Sequence, residues 1–317
     1  MRIISFALMF LCFVLPQYFN AVASDRALAH TEKERIIYNN ALDGAVEDAV
    51  SGLAEYDSGD EIYLNKDAAV ECFFQSLYSG FGILEDEERQ EWMKLYVPIV
   101  LVTDKDGYYI YHNYQVTGDD GKHIYQEWSE KCAYSFVYQK YVCAFTLTNQ
   151  LRVLDTESGS CYEGDFHDLK GQLPEIPFLD SDASYQTVRQ MAVADCISES
   201  MEYYMNQHNR IARDYGISYQ FFLPDIPDED WARTISDVSV MVLFQGYPYE
   251  SIDGFYNRVE TSAARILKKK YYYITRSDGV LYYHESSCSK VTDRTVPYES
   301  TKECAALGAY PCQDCTP

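Results

Sequence analysis

Residues 97–111 read VPIVLVTDKDGYYIY and contain the clearest β-hairpin signal of the chain. A β-branched apolar run ends at Thr103, Asp106-Gly107 follows, and a tyrosine-rich run begins at Tyr108. An Asp-Gly pair between two runs of β-forming residues is a strong signal for a tight turn joining antiparallel strands. This stretch therefore predicts strand, turn and strand.

The residues on either side of this hairpin extend the β pattern. Further strands are predicted at 123–128, 132–138, 141–147, 151–154, 218–223 and 238–246. Those that directly follow the hairpin form an antiparallel meander. Residues 155–184 are rich in Asp, Gly, Ser and Pro and predict a long loop.

Helical periodicity surrounds these strands. Residues 25–54 predict one long amphipathic helix, whose apolar stripe is Tyr38, Ala41, Leu42, Ala45, Val46, Ala49 and Leu53. Further helices are predicted at 66–80 (after Asn65), 85–95, 185–215 (ending at Gly216) and 258–268. The fold class is therefore α+β, with a long N-terminal helix and helices packed on an antiparallel sheet.

The first 23 residues resemble an export signal. They have one basic residue, Arg2, and no acidic residue, and the run from Ile3 to Leu15 is apolar except for Ser5. Ala21-Val22-Ala23 then supplies a small-x-small site, so residues 1–23 predict either a signal peptide cleaved after Ala23 or an uncleaved membrane anchor. In both cases residues 24–270 form an extracytoplasmic domain, and the protein is secreted or anchored by its N-terminus.

Composition excludes one class of partner and favours another. The formal net charge is −23 over 317 residues, which repels phosphate backbones, and the basic run Lys268-Lys269-Lys270 is interpreted as a solvated helix end. Nucleic acid is therefore not expected as a partner. The 30 tyrosines favour a β-rich surface protein with broad contact surfaces.

The chain has ten cysteines, and six of them lie outside the C-terminal segment. Cys12 lies in the leader, and five are scattered at Cys72, Cys132, Cys143, Cys161 and Cys196. Cys132 and Cys143 flank a predicted hairpin, so a disulfide between them is one alternative. Free buried thiols are the other alternative.

The C-terminal segment contains two close pairs of metal-ligating residues. His284 and Cys288 form a His-x3-Cys pair, and Cys312 and Cys315 form a Cys-x2-Cys pair. Four nitrogen and sulfur ligands in two such pairs suit a tetrahedral zinc ion, which would stabilise a module too short for a large core. The alternative is two disulfides among Cys288, Cys304, Cys312 and Cys315.

Residues 271–317 resemble the zinc-binding domain of the Ada DNA-repair family. The resemblance is carried by Tyr-His-x3-Cys, by the segment 300–312 (STKECAALGAYPC), and by the closing Cys-x2-Cys-x-Pro. It implies that His284, Cys288, Cys312 and Cys315 ligate a structural zinc and that Cys304 does not. In methyl-accepting members the first ligand is a nucleophilic cysteine, and here it is His284, so methyl transfer is not expected.

The sequence lacks the common catalytic motifs that would indicate an enzyme. The chain has no Gly-x-Ser-x-Gly, Walker loop, His-Glu-x-x-His or dinucleotide fingerprint. We therefore expect a non-enzymatic protein that assembles with other surface proteins. The body is similar to uncharacterised clostridial surface proteins, which favours a component of a pilus or secretion assembly.

Two alternative functions remain open at this point. The unit Thr103 to Tyr111 resembles Cache- and PAS-type extracytoplasmic sensor domains, which implies a ligand pocket over the sheet near Tyr108 to Tyr111. A cell-wall hydrolase would use acids such as Asp225 or Asp230, with two carboxylates in reach of each other; the acidic cluster Asp225, Asp228, Glu229 and Asp230 near Trp231 is otherwise a solvated loop or a carbohydrate or cation site.

Overall fold

The computed structural model describes residues 2–56, 62–118, 121–227, 231, 234, 237–250, 254–263, 272–277, 279–285, 288, 290–291, 296–298, 300–312 and 315. The chain divides into two compact units. One comprises Met1–Asp57 with Glu61–Ala264, and the other comprises Arg265–Pro317 with Ser58–Asp60. Both contain helix and antiparallel sheet, which confirms the α+β class.

Helices α1 (Arg2–Leu53) and α2 (Lys66–Gly80) pack against each other in the larger unit. All seven residues of the predicted stripe on α1 are buried, which confirms the predicted helix and its orientation. Helix α2 begins after Asn65, whose side chain accepts a hydrogen bond from the backbone N–H of Ala68 at 3.0 Å. Such an N-cap satisfies one of the first unpaired N–H groups of a helix.

A five-stranded antiparallel sheet forms the centre of the larger unit. Helix α3 (Glu87–Lys94) leads into β3 (Ile99–Asp104), β4 (Gly107–Gly118) and β5 (Gly121–Trp128). A short hairpin, β1 (Ala54–Tyr56) and β2 (Ile62–Leu64), lies earlier in the chain. The sheet has the order β11-β10-β3-β4-β5, in which β10 is Ser239–Pro248 and β11 is Phe255–Ala263. Asp104 pairs with Gly107 at the predicted turn.

A second, four-stranded antiparallel sheet follows in chain order. Its strands are β6 (Tyr134–Tyr138), β7 (Tyr141–Phe145), β8 (Gln150–Asp155) and β9 (Cys161–Asp165). The 33-residue helix α5 (Asp182–Asp214) packs against both sheets. One contact is the Tyr108 hydroxyl, which donates to the Cys196 carbonyl at 2.7 Å. The meander prediction is thus correct in its strands but divides between two sheets.

The structure differs from the sequence predictions in three segments. Residues 155–184 are not one loop, because they contain β9, helix α4 (Phe166–Lys170) and a 3-10 turn at Pro177–Leu179. Residues 218–223 form no strand. The helix predicted at 258–268 is wrong through residue 263, which belongs to β11, and residues 264–268 and the basic run Lys268-Lys269-Lys270 lie outside the described residues.

The smaller unit is built on a short sheet. Strand β12 (Tyr272–Ser277) pairs antiparallel with β13 (Val280–Glu285), which pairs parallel with the two-residue β14 (Tyr310–Pro311). Helix α6 (Thr301–Ala306) precedes β14 and begins at the N-cap Ser300. Among its described residues, the smaller unit buries only two larger apolar side chains, Tyr273 and Val291. Burial of two such side chains contributes little stability, so this unit needs another source of order.

Candidate metal centre

The four residues predicted as ligands come together in the smaller unit. His284 lies near the end of β13, Cys288 follows it, and Cys312 comes directly after β14. The parallel pairing of β13 with β14 places these segments side by side, and the Cys312 N–H donates to the Tyr283 carbonyl at 3.0 Å. Strand pairing therefore places Cys312, the first residue of the Cys-x2-Cys pair, beside the His-x3-Cys pair.

The ligand atoms of His284, Cys288, Cys312 and Cys315 converge on one point. No two of these atoms are more than 4.8 Å apart. The Nδ1 atom of His284 lies 3.4 Å from the Cys288 sulfur and 4.0 Å from the Cys315 sulfur. The first three residues are buried and Cys315 is half-buried. This group could hold a metal ion.

A hydrogen bond orients the His284 ring for ligation. Its Nε2 atom lies 2.7 Å from the hydroxyl oxygen of Thr275 on the neighbouring strand β12. If Nε2–H donates to this hydroxyl, Nδ1 carries no proton and its lone pair faces the three sulfurs. A hydrogen bond to the second ring nitrogen is the usual way in which proteins fix the tautomer of a metal-binding histidine.

The disulfide alternative is not what the structure contains. Cys288, Cys304, Cys312 and Cys315 are all free thiols. Cys304 is fully buried on α6 and is not among the converging residues. Burial raises the pKa of its thiol, so Cys304 is a protonated packing residue at neutral pH.

The scattered cysteines outside this unit are also free thiols. The suggested bridge between Cys132 and Cys143 is absent, because Cys143 on β7 lies opposite Phe136 on β6. The backbone of Cys132 instead forms an isolated antiparallel β-bridge with Tyr108 of the larger sheet. Burial raises the pKa of the Cys143 thiol to about 12, which leaves it unreactive.

Two other groups of polar residues, the acidic cluster near Trp231 and the histidine His112, do not form a site among the described residues. Asp225 is exposed, and Asp228, Glu229 and Asp230 lie outside the described residues, so no carboxylate pair of the proposed hydrolase can be described. His112 is buried and stacks on Tyr204 with ring centroids 4.1 Å apart.

A buried polar network in the larger unit was not predicted. The Nε2 atom of His208 on α5 lies 2.9 Å from the Leu95 carbonyl, and its Nδ1 atom lies 3.2 Å from the side-chain nitrogen of Asn113 on β4. Burial lowers the pKa of His208 to about 4, so the ring is neutral. The sequence places these residues 95 positions apart, and only the tertiary packing of α5 brings them together.

A cavity of about 680 Å³ lies beside Asn113, between α3 and strands β4 and β5. Tyr111 lines it, near the position at which the sensor alternative expects a pocket. Tyr108 faces the opposite way, into the contact with α5, and is buried. The larger unit thus has space for a small molecule.

Comparisons with protein-family models, with curated proteins and with solved structures found no match to this chain. The geometry of the site therefore carries the functional argument. No helix among the residues that the structure describes is long and apolar enough to cross a membrane.

Proposed function

We propose that this chain is a non-enzymatic, extracytoplasmic bacterial protein whose C-terminal unit is stabilised by one structural zinc ion. The observation that carries the proposal is the convergence of His284, Cys288, Cys312 and Cys315 within 4.8 Å. Three thiolate sulfurs and one imidazole nitrogen are a donor set that favours zinc over the hard cations magnesium and calcium.

The spacing of the ligand atoms supports zinc. Ligands that lie about 2.0–2.3 Å from a tetrahedral zinc ion are separated from one another by about 3.6 Å. The separations from His284 Nδ1, 3.4 Å to the Cys288 sulfur and 4.0 Å to the Cys315 sulfur, lie on either side of this value. Little rearrangement is needed for an ion to enter.

A structural role follows from the number of ligands. Catalytic zinc sites keep one position for water or substrate, whereas structural sites are closed by four protein side chains. Here four side chains fill the tetrahedral set, and the first position is an imidazole and not a thiolate. The ion would therefore hold the strands and the Cys-x2-Cys turn together and would not activate a nucleophile.

The location and the partners rest on the sequence. Residues 1–23 resemble a signal peptide or anchor, and the tyrosine-rich, acidic composition suits contacts with other surface proteins of a pilus or secretion assembly. When the full chain is expressed in a bacterium, we expect it outside the cytoplasm. Retention in the cytosol would refute this part of the proposal and leave the metal site untouched.

The metal site is tested by metal analysis of the full chain purified under reducing conditions. Wild type should contain about one zinc ion per chain, and His284→Ala and Cys315→Ser should each lose most of it. Cys304→Ser is the matched control, because it removes a neighbouring buried thiol that is not in the cluster. Wild-type protein without stoichiometric zinc, or equal zinc loss in the control, would contradict the proposal.

A further inference from the structure

The cavity beside Asn113 lies in the larger unit and is independent of the proposed metal site. It is bounded by α3 on one side and by the edge of the sheet, strands β4 and β5, on the other. Its volume of about 680 Å³ is within the range of small-molecule sites in proteins. The side chains that line the cavity determine which ligand chemistry it can bind.

One of the residues that line the cavity, Asn113, contains an unsatisfied hydrogen-bond acceptor. Asn113 lines the cavity and is 2% exposed. Because neutral His208 donates from Nε2 to the Leu95 carbonyl, its Nδ1 must accept from the Asn113 amide nitrogen. That bond fixes the amide orientation, and the Asn113 Oδ1 is left buried without a partner. A ligand with a donor at this end would remove the cost of that unpaired acceptor.

The walls are aromatic. Tyr111, Trp92 and Tyr125 line the cavity, and Trp92 and Tyr125 are 46% and 49% exposed. Large aromatic side chains left in water beside a cavity are typical of binding surfaces. Their π faces attract flat apolar groups and, more strongly, cations.

The rim is acidic. Glu88 and Glu91 both line the cavity, and Lys94 forms an ion pair with Glu91 at 2.6 Å. Among the residues that the structure describes, no basic group pairs with Glu88. The rim therefore retains a negative charge, in a protein whose net charge is already −23.

We propose that this cavity binds a small primary ammonium compound with a flat apolar body of about ten heavy atoms. The ammonium N–H groups supply the donor that Asn113 lacks, the positive charge is attracted to Glu88, and the apolar body packs against Trp92 and Tyr111. A sugar would satisfy the donor and the aromatic walls but would gain nothing from the charge of the rim.

Three probes of similar size separate charge from donor. Phenethylamine has both, its N,N,N-trimethyl derivative keeps the charge without a donor, and 2-phenylethanol keeps a donor without the charge. Binding to the full chain is followed by tryptophan fluorescence, because Trp92 lines the cavity, and by calorimetry. We expect phenethylamine to bind with a dissociation constant of about 1 mM or lower, and the other two probes roughly three- to tenfold more weakly.

Matched variants assign the binding to this cavity. Glu88→Gln should weaken phenethylamine binding by roughly three- to fivefold and leave binding of 2-phenylethanol unchanged. Glu87→Gln makes the same charge change one residue away on α3, outside the cavity, and should have less effect. Equal binding of the amine and the alcohol, equal effects of the two variants, or no saturable amine binding up to about 10 mM would each overturn the proposal.

Discussion

Acidification should destabilise the larger unit through His208. This side chain is 1% exposed, with its Nε2 bonded to the Leu95 carbonyl and its Nδ1 to Asn113. No carboxylate is within ion-pair distance of the ring among the described residues. Protonation on Nδ1 would therefore place an uncompensated charge in the core and turn the accepting nitrogen into a second donor facing the Asn113 amide.

The magnitude follows from the pKa. The imidazole titrates near 6.5 when the chain is unfolded and at about 4 in the folded protein, and burial is the main cause. Between these values the unfolded state binds the proton and the folded state does not, so stability falls as the pH falls through this window. A difference of 2.5 units corresponds to about 3 kcal/mol in total, of which about 2 kcal/mol is lost between pH 7 and pH 5.

The assay is urea unfolding at pH 7, 6 and 5, followed by tryptophan fluorescence. Trp92, Trp128 and Trp231 all lie in the larger unit, so the signal reports on that unit alone. His208→Gln removes the titrating group and keeps an amide able to form hydrogen bonds. This variant should be less stable than wild type at pH 7 but should lose about 2 kcal/mol less on going to pH 5. Parallel pH dependences for the two proteins would refute the reasoning.

Three glycines give further predictions, each measured by chemical or thermal unfolding. A Cβ at Gly80 would lie 2.6 Å from the Cβ of Ala41 where α1 meets α2, so Gly80→Ala should lower the free energy of unfolding by about 1–3 kcal/mol. A Cβ at Gly44 would have nothing within 4 Å, so Gly44→Ala should stabilise α1 by about 0.5–1 kcal/mol. Equal effects would contradict the close approach of the helices. Gly308 has φ +79° and follows Leu307, the C-cap residue of α6, so Gly308→Ala should destabilise the smaller unit by about 1–2 kcal/mol. The loss is read from far-ultraviolet circular dichroism and from metal retention, and an unchanged melting profile would refute it.

Local sequence signals predicted the elements that local interactions determine. The apolar stripe of α1, the Asn65 cap of α2 and the Asp-Gly turn between β3 and β4 each depend on residues a few positions apart. The four cysteine and histidine positions belong to the same class, because each pair is close in sequence. Ligand type and spacing predicted that the two pairs would converge, but the parallel pairing of β13 with β14 that brings them together joins residues distant in sequence and has no local signal.

The secondary-structure predictions were wrong where contacts with residues distant in sequence determine the backbone conformation. Residues 218–223 have the apolar content of a strand, but the Asn209 side chain binds both backbone groups of Phe221, with its oxygen accepting from the N–H and its nitrogen donating to the carbonyl. A side chain on α5 thus takes the place of a neighbouring strand. No pattern within the segment carries that information.

The helix predicted at 258–268 failed for a similar reason. Arg258 has helical propensity, but in β11 it lies opposite Phe244 and forms ion pairs with Asp43 on α1 and Glu260. Sheet pairing and these contacts override a weak local preference. The network of His208 and Asn113 was missed because neither residue has a neighbour in sequence that marks it as part of a site.

The length and continuity of α1 have a mechanical consequence. The helix covers 52 residues, and at 1.5 Å per residue it extends about 78 Å. From Tyr38 onward it is clamped, since the ring of Tyr38 contacts Phe81, Tyr247, Tyr249 and Tyr256. Its earlier half presents exposed side chains such as Tyr18 and Leu28. A rigid helix of this length would transmit a force or torque applied near its N-terminus to the central sheet, and Pro16, the one proline within it, is the position at which it would bend most easily.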